Sequence, residues 1–120
     1  MSKPDRRLVP IVSLDVVGFS RLMQHDERQT LRLVQRLYER IVAPSVRDHG
    51  GTIFKTMGDG LLAEFNSVVD AIDWVGKIQL TLHQRRIRAP GGEMFQVRAG
   101  IVLADVLVSG DDRFGNGVNL

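Results

Sequence analysis

The chain contains no cysteine in its 120 residues. That excludes disulfide bridges and thiolate metal sites and fits a reducing compartment. Aromatic residues are scarce at 6%, too few for the stacking platform that single-stranded nucleic acids need. No apolar run approaches the roughly 20 residues that cross a bilayer. The opening segment MSKPDRRLVPIVSLD has neither the apolar core nor the small-residue cleavage site of a secretory signal. Runs of one charge sign are also missing. The formal net charge is +2, with arginines scattered among acids, which argues against a dedicated nucleic-acid surface. There is no internal repeat or low-complexity tract. With 43% hydrophobic and 25% charged residues, the chain reads as one cytoplasmic globular domain over 7–120 behind a polar leader, 1–6.

What is present divides by period. LVPIVSLDVV (8–17) is β-branched and almost continuously apolar, the pattern of a strand buried on both faces. From Asp26 to about Asp48 the pattern is helical, with Leu31, Val34, Leu37, Tyr38, Ile41 and Val42 on one stripe. Pro44 predicts a kink or an early end. HGG (49–51) is a stop signal. TIFKT (52–56) and LLAEF (61–65) read as two strands around a tight MGDG turn, whose glycines supply positive φ angles. Ser67, with Asp70 three residues on, opens a second helix running to about Arg86. After the APGG loop (89–92), residues 94–110 read as a strand, a bend near Ala104–Asp105, and a second strand. His25, His49 and His83 lack ligand spacing. Trp74 reads as packing, and Arg85, Arg86 and Arg88 as a solvated face.

The fold class expected from this order is α+β: a ferredoxin-like βαββαβ sheet with helices on one face and an appended β-hairpin arm. In that topology the third strand lies antiparallel beside the first. Asp15, near the end of strand one, and Asp59, in the turn before strand three, then meet at one edge of the sheet. Two adjacent carboxylates repel unless they share a proton or a cation. A divalent ion such as Mg²⁺, held by one or two carboxylates and substrate phosphates, answers that need. The turn after Asp15, VVGFS (16–20), offers backbone amides to an anion. The same residues also fit a plainer reading, with Asp15 bonding local backbone and Asp59 an ordinary turn acid.

Three segments in order resemble the class III nucleotide cyclase catalytic domain, the adenylate and guanylate cyclase family. LDVVGFSRLM resembles its first metal motif and HGGTIFKTMGDGLLAEF its second. VRAGIVLADVLVSGDDRFGNGVNL is similar to the stretch running through the dimerisation arm toward the nucleotide pocket. The resemblance implies formation of a 3′,5′-cyclic nucleotide and pyrophosphate. It makes Asp15 and Asp59 the catalytic ligands of two divalent cations, Mg²⁺ or Mn²⁺. Val16, Val17, Gly18, Phe19 and Ser20 become the phosphate-contacting turn. Lys55 and Asp112 match the base-reading pair, a combination that fits adenine and hence ATP. Asn119 matches the ribose-orienting asparagine. The resemblance also implies a homodimer with composite active sites, paired through an arm at about 103–113, and leaves room for a regulatory domain elsewhere.

The pattern departs from the family after GVN. The arginine that normally stabilises the transferring phosphate, and a polyphosphate-binding lysine, would lie beyond Leu120. Loss of one such cation costs on the order of 10²-fold in rate. An adenylate cyclase is therefore the first expectation, and a non-catalytic module for dimerisation or nucleotide binding the second.

Overall fold

The computed structural model describes residues 5–109 and 112–114. It contains strands β1 (Asp5–Val16), β2 (Thr52–Met57), β3 (Gly60–Glu64), β4 (Val97–Ser109) and β5 (Asp112–Phe114). The helices are α1 (Phe19–His25), α2 (Glu27–Leu37), α3 (Ala43–Asp48) and α4 (Val68–Gln84). The five strands form one sheet in the order β2-β3-β1-β4-β5, with every neighbouring pair antiparallel. β1 thus lies at the centre with β3 beside it, as the ferredoxin-like reading requires. β4 and β5 make the appended hairpin. No helix of the described residues is long and apolar enough to cross a membrane.

The alternation of β1 assigns the two faces. Val12, Leu14 and Val16 point to the side where the helices pack, joining Leu22, Val34, Leu37, Val46, Trp74 and Ile78 in the larger core. Val9 and Ile11 point the other way, into a smaller cluster with Leu62, Ala104 and Val106 that contains no helix residue. The larger core centres on Trp74, fully buried, with its ring 5.4 Å from that of Phe65. Leu8, Ile101 and Leu103 share the helix-side face by register with Val12. They nevertheless remain exposed.

Four expectations need correction. No bend occurs at Ala104–Asp105. β4 runs unbroken because β1 pairs with it residue by residue from Asp5↔Val108 to Val16↔Val97, and a continuous ladder outweighs the weak strand preference of Ala and Asp. A separate helix, α1, precedes Asp26. It is seven residues long with only Leu22 buried, too short for a 3.6-residue period to declare itself. Asp26 instead caps α2, accepting from the Gln29 amide at 3.0 Å. Leu31 is exposed; Thr30 takes the buried position and donates its hydroxyl to the Leu22 carbonyl at 3.0 Å.

Pro44 does not end the helical stretch early. A π-helical turn, Tyr38–Val42, precedes it, and the Ala43 amide donates to the Tyr38 carbonyl five residues back. Proline's ring would clash with the carbonyl four residues back in a regular α-helix, and widening the turn ahead of it removes that conflict. The buried positions record the extra residue: Leu37 is followed by Val42 and then Val46.

The Ser67 cap forms as expected, with its hydroxyl accepting from the Asp70 amide at 3.0 Å. Gly51, where the chain enters β2, is required by space. A Cβ there would sit 2.5 and 2.8 Å from Phe65 ring carbons and 2.8 Å from a Val46 methyl. Gly51→Ala is expected to destabilise the fold by about 1–3 kcal/mol through overpacking. A urea midpoint equal to that of the unmutated protein would contradict this.

Candidate active site

The end of β1 and the turn between β2 and β3 meet as the topology demands. The Val16 amide donates to Asp59 Oδ2 at 3.2 Å, so the Asp59 carboxylate lies against the backbone directly after Asp15. Gly60 makes this approach feasible: a Cβ on it would come within 2.9 Å of the Leu14 carbonyl oxygen and 3.6 Å of Asp15 Cβ. Of the two glycines in the turn, only Gly58 adopts positive φ, at 42°. Asp15, Asp59, Gly18, Phe19, Ser20 and Arg98 line one open hollow of about 540 Å³ at the end of β1 where α1 begins.

Asp15 is the unsettled group in this hollow. Its Oδ1 is buried without a hydrogen-bond donor. Arg98 Nη2 lies 3.2 Å from that oxygen, and its hydrogen bond goes to Oδ2 at 3.3 Å. Arg98 comes from β4, directly opposite Asp15 in the ladder, and remains largely exposed. It was invisible in the sequence because its relevance depends on the β1–β4 register. Among the described residues no group of three or more His, Cys, Asp or Glu side chains is arranged around a metal. Two carboxylates, one with an undonated buried oxygen, fit a hard divalent cation whose remaining ligands come from phosphate and water.

The phosphate turn is partly committed within the protein. Val16 donates to Asp59, and the Val17 amide to the Gln96 carbonyl at 2.9 Å. Gly18, at φ 68°, precedes α1 without a side-chain cap, so the first amides of that helix, at Phe19 and Ser20, lack a capping side chain. Lys55 is exposed on β2. A bulge between Ile53 and Lys55 turns both Phe54 and Lys55 to the helix-free face, since Phe54 packs in the smaller cluster and Lys55 pairs with Leu62. Lys55 shares the carboxylates' face but does not line their hollow. Asp112 opens β5, and its side chain, like the whole of Asn119, lies outside the described residues.

A second unforeseen member is Tyr38, which the apolar stripe of its helix had absorbed. Its hydroxyl donates to the main-chain oxygen of Asp59. Burial, aided by the negative charges of Asp59 and Asp15, raises its pKa well above the ordinary phenol value of 10.0. The folded state therefore holds the proton more tightly than the unfolded chain. That contribution to stability is complete below pH 10 and is lost as pH climbs further. Tyr38 is the chain's single tyrosine, so phenolate absorbance reports it alone. The folded chain is expected to show no phenolate at pH 10–11, with absorbance rising only on unfolding; half-ionisation at pH 10 in the folded state would contradict the assignment.

No protein-family model matches the chain. It is 37% identical over 115 residues to a Rhizobium meliloti (strain 1021) protein named as an adenylate cyclase, covering 96% of this chain and 20% of the relative. It is 33% identical over 116 residues to the adenylate cyclase of Streptomyces coelicolor, covering 97% of this chain and 29% of that protein. The chain thus spans less than a third of the length of these curated relatives. Among solved structures, an adenylate/guanylate cyclase/hydrolase from Silicibacter pomeroyi superposes with a TM-score of 0.85 at 35% identity, over 97% of this chain and 67% of that one. A bacterial light-regulated adenylyl cyclase shares the fold, with a TM-score of 0.83 at 23% identity over 99% of this chain and 39% of that one. By sequence and architecture together, the chain belongs to the class III adenylate/guanylate cyclase catalytic-domain family.

Proposed function

We propose that this domain converts ATP to 3′,5′-cyclic AMP and pyrophosphate, using two divalent cations, Mg²⁺ or Mn²⁺, held by Asp15 and Asp59 in a homodimer with composite sites. The observation that carries this reading is the seating of Asp59 on the Val16 amide, beside an Asp15 carboxylate whose Oδ1 is approached only by the exposed Arg98 guanidinium. When bound, such cations neutralise phosphate charge and lower the pKa of a coordinated hydroxyl.

The chain's own residues supply the rest. Arg98 balances Asp15 in the absence of a cation. Exposed and within reach of the hollow, it is suited to meet phosphate oxygens, where its planar fork makes paired hydrogen bonds. The first amides of α1 favour the same anionic groups. In the reaction the ribose 3′ hydroxyl gives up its proton, its oxygen bonds the α-phosphorus, and the bond to pyrophosphate breaks.

Lys55 shares a face with the carboxylates yet stays out of their hollow, which supports base reading in a site completed by a second copy. There, Lys55 donates to adenine N1 and Asp112 accepts from the N6 amino group, while Asn119 orients the ribose. The β4–β5 hairpin serves the pairing of copies. The names of the relatives support ATP over GTP as the substrate.

In the protein that carries this chain, Mn²⁺ and ATP are expected to yield cyclic AMP, with Asp59→Ala lowering the rate at least about 100-fold. Undiminished product from that variant would overturn the assignment, and tight Mn·ATP binding without product would favour a nucleotide-binding module instead. Lys55→Glu is expected to reduce the ATP-over-GTP preference about tenfold or more, the worth of a charged hydrogen bond; unchanged selectivity would remove Lys55 from base reading.

A further inference from the structure

The turn that carries Asp59 is held from two sides, and only one hold comes from the sheet. The Val16 amide fixes the carboxylate through Oδ2. The main chain of the same residue is fixed from the helix layer by the Tyr38 hydroxyl. The turn is short, closed by the Met57↔Gly60 pair, and these two contacts fix the Asp59 residue at its tip. It joins β3 to β2, an edge strand with one neighbour, and Gly58 within it has nothing within 4 Å of where a Cβ would lie.

The local helix geometry serves this contact. Tyr38 is the first residue of the π-helical turn and leans, partly buried, against the larger core. Packing alone would be met by phenylalanine. The hydroxyl adds a donor, and it is directed at the backbone of a carboxylate residue. Single π-turns inside helices recur at functional sites. Here the widened turn is also what lets the helix pass Pro44.

We propose that Tyr38 is a positioning residue for the cation site: its hydroxyl clamps the Asp59 main chain so that the carboxylate keeps its place beside Asp15, and cation affinity depends on that clamp. This rests on the reading of Asp15 and Asp59 as cation ligands. Tyr38 does not line the hollow, so it acts through Asp59. Removing the hydroxyl releases the turn without emptying the core, so the expected signature is weaker cation binding with the fold intact.

The test compares the unmutated protein with Tyr38→Phe and Tyr38→Leu. Mn²⁺ binding is followed by electron paramagnetic resonance without nucleotide, so that turnover plays no part, and hydrogen–deuterium exchange is followed over residues 57–61. Tyr38→Phe is expected to weaken Mn²⁺ binding about fivefold, the factor corresponding to one net hydrogen bond. It should also speed exchange in the turn while lowering the thermal midpoint by only the few degrees that one hydrogen bond is worth. Tyr38→Leu should add a clear drop in that midpoint through lost packing. Equal Mn²⁺ affinity in Tyr38→Phe and the unmutated protein overturns the positioning role, as does unchanged exchange in the turn. An unmutated protein that takes up no Mn²⁺ overturns the cation reading itself, an outcome distinguishable because the exchange comparison is made without metal.

Discussion

The antiparallel pairing of β1 with both β3 and β4 is the constraint on which the remainder of this domain depends. β1 contributes to both apolar clusters, ends at Asp15–Val16, and is the shared partner that sets the registers of β3 and β4. Because side chains alternate along a strand, a slip of one residue would exchange the buried and helix-free faces together. The burial of Val12, Leu14 and Val16 against the helices therefore also decides that Asp15 faces the opposite side. Core packing and the orientation of Asp15 are one choice here.

The carboxylate site consequently owes its geometry to backbone. Asp15 lies on the central strand, Asp59 is tied by a main-chain donor, and Arg98 faces Asp15 across an antiparallel ladder. A guanidinium opposite the carboxylate moderates the repulsion that two neighbouring acids would otherwise suffer. Partial exposure of this pair limits how much it adds to stability. Backbone placement with loosely paired charges leaves the Asp15 carboxylate free to exchange one counter-charge for another.

Much of this was legible in the sequence. The apolar run of β1, the glycine-flanked turn, the Ser67 cap and the strand order together imply the meeting of Asp15 and Asp59. What escaped has specific causes. α1 is two turns long, and Leu31 and Thr30 exchange roles because α1 presents the Leu22 carbonyl to the threonine hydroxyl. The π-turn is foreshadowed only by the five-residue step from Leu37 to Val42. β4 runs straight through Ala104–Asp105 because β1 templates it, a tertiary effect on a locally ambiguous stretch. Arg98 and Tyr38 act through partners 83 and 21 positions away, which no local pattern discloses.

The irregularity in β2 has a wider implication. The extra residue at Phe54 is accommodated on a marginal strand that answers to β3 alone, so the orientation of Lys55 is uncoupled from the alternation governing the middle of the sheet. On the proposed reading, the selectivity determinant is thereby housed on an edge strand, while the cation ligand Asp15 lies on the central one. Descendants of such a domain can drift in nucleobase preference by adjusting one marginal strand, while the chemistry at its centre is inherited intact.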